Sequence, residues 1–150
     1  MSDLDTLYRE LILDHSKHPQ HFGLTDLTTG AGTVGESHQK NPVCGDEITL
    51  RARVDGETIG DIVWEGRGCS ISQASASMLA DLVAEEGLTR AEAVKLIEGF
   101  REALRSRGRL ELDEDVYGDA AALSGVSKFS ARVKCAMLAW VALEDAIAKA

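Results

Sequence analysis

Four side chains in this sequence could share one piece of chemistry: Cys44, Asp46, Cys69 and Cys135. Cys44 stands in Asn41-Pro42-Val43-Cys44-Gly45-Asp46, where Pro and Gly call for a turn and leave the thiol near the surface. A carboxylate two residues from a thiol raises the thiol's pKa, which suits a free nucleophile badly and a shared cation well. Cys69 follows Gly66-Arg67-Gly68 at a junction between a strand and a helix, where backbone N–H groups favour a thiolate. Cys135 lies near the start of the last helix, flanked by Arg132 and Lys134, again a setting that lowers a thiol pKa. Each cysteine also has an ordinary alternative, as an incidental loop thiol or a small buried apolar group. Together with Asp46 the three would complete a four-coordinate thiolate–carboxylate set, acceptable to zinc or to an iron–sulfur cluster. Spacing adds little: 25 and 66 residues separate successive cysteines, and no Cys-x-x-Cys knuckle is present.

The elements that must position these groups can be read from periodicity. Leu4, Leu7, Tyr8, Leu11, Ile12 and His15 recur at helical spacing from near residue 3, with Ser2 and Asp5 available to cap and Pro19 ending the pattern. Residues 20–40 read as loop, with a short strand at most around Gly32–Glu36. Glu47–Val54 alternates as a half-buried strand, Asp55-Gly56 turns it, and Ile59–Glu65 returns antiparallel. Ser70 or Ser72 is placed to cap the next helix, whose buried stripe from Ile71 to Val83 is rich in small residues. Thr89 and Glu92 form a capping box for another, carrying Ala93, Leu96, Ile97, Phe100 and Leu104 inward. Residues 105–119 are charged and turn-like, and a final helix spans about Ala131–Ala148. Strands come first and helices later. The expectation is a single α+β domain over residues 1–150, a small antiparallel sheet of about three strands packed against a helical layer.

Composition bounds the function classes. Sixteen Lys and Arg against 25 Asp and Glu give a net charge of −9, which argues against a nucleic-acid binder. An odd cysteine count argues against a closed disulfide framework. The opening segment lacks the apolar stretch of a secretory signal, and no run is long and apolar enough to cross a membrane. The chain therefore reads as a soluble, acidic, cytoplasmic protein. Of its four histidines, His15 falls on the apolar side of the first helix and reads as packed. His18, His21 and His38 share no helical face, and Trp64, Trp140 and Tyr8 fit core positions.

The ordered motifs Cys44-Gly45-Asp46, Gly66-Arg67-Gly68-Cys69-Ser70-Ile71-Ser72-Gln73-Ala74-Ser75-Ala76-Ser77 and Arg132-Val133-Lys134-Cys135-Ala136 resemble the U-type iron–sulfur assembly family (IscU and the NifU N-domain). Tyr8-Arg9, Asp14-His15, Pro19 and Gly23 fit the start of that family, so the likeness covers nearly the whole chain. Within it the chain is most similar to the SufU branch of the SUF pathway. Lys134 stands where the scaffold branch has His before its third cysteine. Phe129-Ser130-Ala131-Arg132-Val133-Lys134 replaces that branch's chaperone-recognition motif, and Ser130 stands where SufU-like chains usually have Pro. The resemblance implies zinc held by Cys44, Asp46, Cys69 and Cys135. It also implies a zinc-dependent sulfurtransferase that accepts persulfide sulfur from a SufS-type cysteine desulfurase, for delivery to a downstream iron–sulfur assembly scaffold. In that picture a desulfurase histidine displaces Cys44 from the metal, and Cys44 attacks the persulfide. Arg132 and Lys134 are candidates for stabilising the charged site or a persulfide anion; their alternative is a pair of solvated helix cations. The competing function is a scaffold on which a [2Fe–2S] cluster forms on the same ligands before transfer.

Overall fold

The computed structural model describes residues 3–43 and 45–150. Helix α1 (Asp3–Lys17) is followed by strands β1 (Thr33–Asn41), β2 (Asp46–Asp55) and β3 (Thr58–Arg67). Then come α2 (Ser70–Glu86), α3 (Arg90–Arg105), the one-turn α4 (Glu114–Tyr117), a 3-10 helix (Gly118–Lys128) and α5 (Ser130–Lys149). The sheet is antiparallel in the order β1-β2-β3. This is the α+β arrangement expected from the sequence, with a longer first strand.

β1 escapes a hydrophobicity reading because its inward positions are Gly35, Ser37 and Asn41 rather than large apolar residues. They are small because α5 lies directly on them. A Cβ at Gly35 would collide with the Ala146 carbonyl, so only glycine lets helix and strand approach this closely. β2 buries Ile48, Leu50, Ala52 and Val54 in strict alternation. In β3 an irregularity opposite Arg53 and Val54 makes Gly60 an extra residue, so the buried set is Ile59, Ile62 and Trp64.

α2 is buried on most of its circumference, from Ser72 to Val83, which explains its stripe of Ala and Ser: small side chains let it pack between α1, β3 and α5. Buried polar bonds fix these contacts. His15 Nδ1 meets Ser77 Oγ at 2.7 Å and its Nε2 meets Asp119 Oδ2 at 2.9 Å. A carboxylate oxygen accepts, so Nε2–H donates to Asp119, while Ser77 Oγ also accepts the Gln20 N–H. Ser75 Oγ donates to the Ala136 carbonyl and accepts the Trp140 indole N–H. Trp140 in turn stacks on Phe100 of α3 with ring centroids 3.8 Å apart. The expected capping box is present, with Glu92 N–H bonded to Thr89 Oγ1 and Thr89 N–H to Glu92 Oε1. Among the described residues no helix is long and apolar enough to cross a membrane.

Candidate metal centre

Antiparallel pairing places the start of β2 beside the end of β3, with Glu47 opposite Arg67. Asp46 is the first residue of β2. Two residues past β3, Cys69 occupies the N-cap of α2, and Cys135 sits in the second turn of α5. Three elements distant in sequence thus end at one edge of the sheet. The sequence offered Ser70 or Ser72 as cap; the structure gives that position to Cys69, with no side-chain capping bond. The reason is local: the Cys69 N–H is taken by Asp46 Oδ1 at 3.1 Å, while Ser72 Oγ donates back to the Cys69 carbonyl at 3.0 Å. Asp46 thereby fixes the helix entry and leaves the sulfur of Cys69 out of the cap.

One donor atom from each of Asp46, Cys69 and Cys135 lies within 4.8 Å of the others. Zn–S near 2.3 Å and Zn–O near 2.0–2.2 Å in a tetrahedral shell put donors about 3.5–3.8 Å apart, so small side-chain rotations suffice. Asp46 is 1% exposed, and among the described residues its Oδ2 has no hydrogen-bond partner. A buried carboxylate oxygen without a partner costs free energy, and a cation between it and two thiolates removes that cost. Opposite Asp46 across the β1–β2 pair, Asn41 is also buried, and its Nδ2 is likewise without a partner among the described residues. Gly68 completes the enclosure: a Cβ there would overlap both Asp46 Oδ1 and Ser72 Oγ. Cys135 is 2% exposed with its Sγ 3.8 Å from the Ala131 carbonyl, whereas Cys69 is half-buried, so the cluster opens on the Cys69 side. Two soft thiols and one hard carboxylate form a donor set suited to zinc, one ligand short of a closed shell.

Cys44, the fourth residue expected here, lies outside the described residues. Its neighbour Gly45 has φ +74° and donates its N–H to the Asn41 carbonyl at 2.8 Å, and Val43 is 82% exposed. Arg132 and Lys134 are exposed on the first turns of α5. None of the four histidines joins the cluster among the described residues. His15 is packed as expected, His38 bridges to Thr49 and Glu47, and His21 lies 3.9 Å from Asp81. Trp64 and Trp140 are buried, and Tyr8 packs partly buried at the core's edge. Sequence reasoning passed over Asn41; it read Gly68 as part of the turn before Cys69 and Ser72 as a helix cap, not as the enclosure of Asp46.

Residues 7–136 match the family described as the NifU-like N terminal domain. The zinc-dependent sulfurtransferase SufU of Bacillus subtilis (strain 168) is 40% identical over 149 residues, covering 99% of this chain and 94% of that one. The iron–sulfur cluster assembly scaffold protein IscU of Streptococcus pyogenes serotype M1 is 41% identical over 147 residues, covering 98% and 86%. A crystal structure from the thermophile Fervidobacterium islandicum AW-1, described as a scaffold protein for the SUF system, superimposes with a TM-score of 0.78 at 35% identity, covering 95% and 97%.

Proposed function

The chain belongs to the NifU-like N-terminal domain family, and from that premise we propose that it acts in iron–sulfur cluster assembly as a zinc-dependent sulfur acceptor, taking persulfide sulfur from a SufS-type cysteine desulfurase in the cytoplasm. The observation that carries this reading is the convergence of donor atoms from Asp46, Cys69 and Cys135 within 4.8 Å of one another. In the proposal Cys44 completes the ligand set and is also the nucleophile. Bound zinc would keep the thiols deprotonated at neutral pH.

The remaining chemistry belongs to the chain. Asp46 is anchored in β2 and by its bond to the Cys69 N–H, and Cys69 and Cys135 are anchored by helices. Cys44 follows the exposed Val43 and precedes Gly45, whose φ is +74°, and in the proposal it is the ligand that leaves the cluster. Its thiolate attacks the outer sulfur of the partner's persulfide. A new S–S bond forms to Cys44, the partner's S–S bond breaks, and the partner cysteine leaves as a thiolate; the proton stays on the transferred sulfur. No external oxidant or reductant is required. Arg132 and Lys134, exposed beside Cys135, would favour the persulfide anion electrostatically. The sulfur then passes to a downstream assembly scaffold.

The test is desulfurase turnover with and without the zinc-loaded chain. Wild type should carry close to one zinc per chain and accelerate turnover, and Cys44→Ala should abolish the acceleration. A zinc-loaded wild type that leaves turnover unchanged overturns the reading. A second reading, a scaffold that builds and transfers a [2Fe–2S] cluster on the same donors, is favoured by the name of the Streptococcus relative. Lys134, in the position before Cys135, withholds a histidine ligand from such a cluster. Anaerobic reconstitution yielding a stable, transferable cluster at physiological zinc would decide for the scaffold.

A further inference from the structure

The cations of this acidic chain are unevenly placed. Arg101, Arg105, Arg107 and Arg109 fall within nine residues. With Lys95 they line an open cavity of about 1020 Å³ along α3 and the turn beyond it, faced by the carboxylates Glu98 and Glu102. Arg101 is committed, bonded to Glu98 and, at 2.9 Å, to Glu144. Arg105, Arg107 and Arg109 are exposed, and no side-chain hydrogen bond or ion pair holds them among the described residues. The turn that presents them holds Arg107 in the left-handed region, φ +56°, which side-chain-bearing residues rarely adopt, followed by Gly108 at φ +85°. Ser106 Oγ pins the turn by donating to the Ala103 carbonyl and accepting the Leu110 N–H. Three like charges crowded on one turn repel one another.

The acidic run Glu111–Asp115 begins just past Leu110: Asp113 caps α4, and Glu114 and Glu111 add to burial in raising the Tyr8 pKa on α1. A second cavity, about 880 Å³ and lined by Tyr8 and Glu111, shares Leu110 with the first. Leu13 and Phe129, both exposed apolar side chains, line it, as do Ser70 and Arg132, which flank Cys69 and Cys135 in sequence. The two cavities thus adjoin at Leu110, one holding the unpaired arginines and the other an apolar patch that reaches Ser70, the residue after Cys69.

We propose that this surface is the docking face for the sulfur-donating partner, and that Arg105, Arg107 and Arg109 recognise an acidic side-chain cluster on that partner beside an apolar contact. The proposal rests on the sulfur-acceptor reading. Arginine next to exposed apolar and aromatic groups is the composition of a protein interface. A net charge of −9 keeps nucleic acid away from the same arginines.

The experiment is desulfurase turnover against concentration of the zinc-loaded chain, over a salt series. For wild type the half-saturating concentration should rise steeply with salt. Arg105→Glu/Arg107→Glu/Arg109→Glu should raise it about tenfold or more at low salt, flatten the salt dependence and leave the maximal rate within about twofold. The triple Lys variant should behave as wild type, because charge rather than fork geometry is read. The triple Gln variant supplies the same measurement if charge reversal lowers the melting temperature. A Glu or Gln variant that saturates at wild-type concentrations with the wild-type salt profile overturns the docking proposal alone. A wild type that accelerates turnover at no salt concentration overturns the acceptor reading, and the docking proposal with it.

Discussion

At the scale of single residues, the cluster is organised by Asp46 more than by any thiol. Its carboxylate accepts the Cys69 N–H through one oxygen and leaves the other buried, without a partner among the described residues. Asp46→Asn keeps the shape and removes the charge, so zinc content by elemental analysis should fall well below one per chain while the far-ultraviolet spectrum stays native. Gly68→Ala inserts a methyl between Asp46 and Ser72. It should lower unfolding free energy in urea by about 1–3 kcal/mol and reduce zinc content as well. Asp46 was legible in the sequence because a carboxylate beside a thiol asks for a cation. Gly68 was legible as part of the turn before Cys69, but not what it encloses, because what it contributes there is the absence of atoms, and Asn41 hid behind an unremarkable Asn-Pro turn.

At the scale of elements, legibility followed the size of the buried side chains. β2 and α3 announced themselves through large apolar residues at period 2 and period 3.6. β1 alternates equally well, but in Gly, Ser and Asn, because α5 leaves no room for more. The 3-10 helix buries Ala120, Ala121, Ala122 and Leu123 in one run, which carries no helical period to detect. The capping box was legible because its two bonds are local. Thr89→Ala should cost about 1 kcal/mol in denaturant unfolding and leave zinc content unchanged. Hydrogen bonds from Thr89, the backbone one first, hold the Glu92 carboxyl below its ordinary pKa. The stability this lends is full above the unfolded-state pKa and disappears as pH falls through the folded value, so Glu92→Gln should flatten that part of the acid limb of a pH–stability profile. His15→Ala removes two buried bonds linking α1 to α2 and to the 3-10 helix; a loss of about 1–3 kcal/mol is expected.

At the scale of the whole molecule, the core is built without help from a metal. Ile48, Leu50, Ile62, Trp64, Ile97, Phe100, Leu143 and Ile147 are buried far more by one another than by the thiol edge. Chelation should therefore lower the melting temperature yet leave a cooperative transition and native helix content, unlike a small zinc finger that unfolds without its ion. Collapse of the circular dichroism spectrum on chelation would contradict this. The two tryptophans carry a further consequence of the same core. Both indole N–H groups are satisfied inside the protein, Trp64 by the Gln20 carbonyl and Trp140 by Ser75. Trp140 is also tied through Ser75 to the turn of α5 next to Cys135. The chain's emission should thus be blue-shifted, dark to any partner that merely covers the surface, and responsive to events that shift α2 against α5: the protein carries its own optical gauge of the thiol edge.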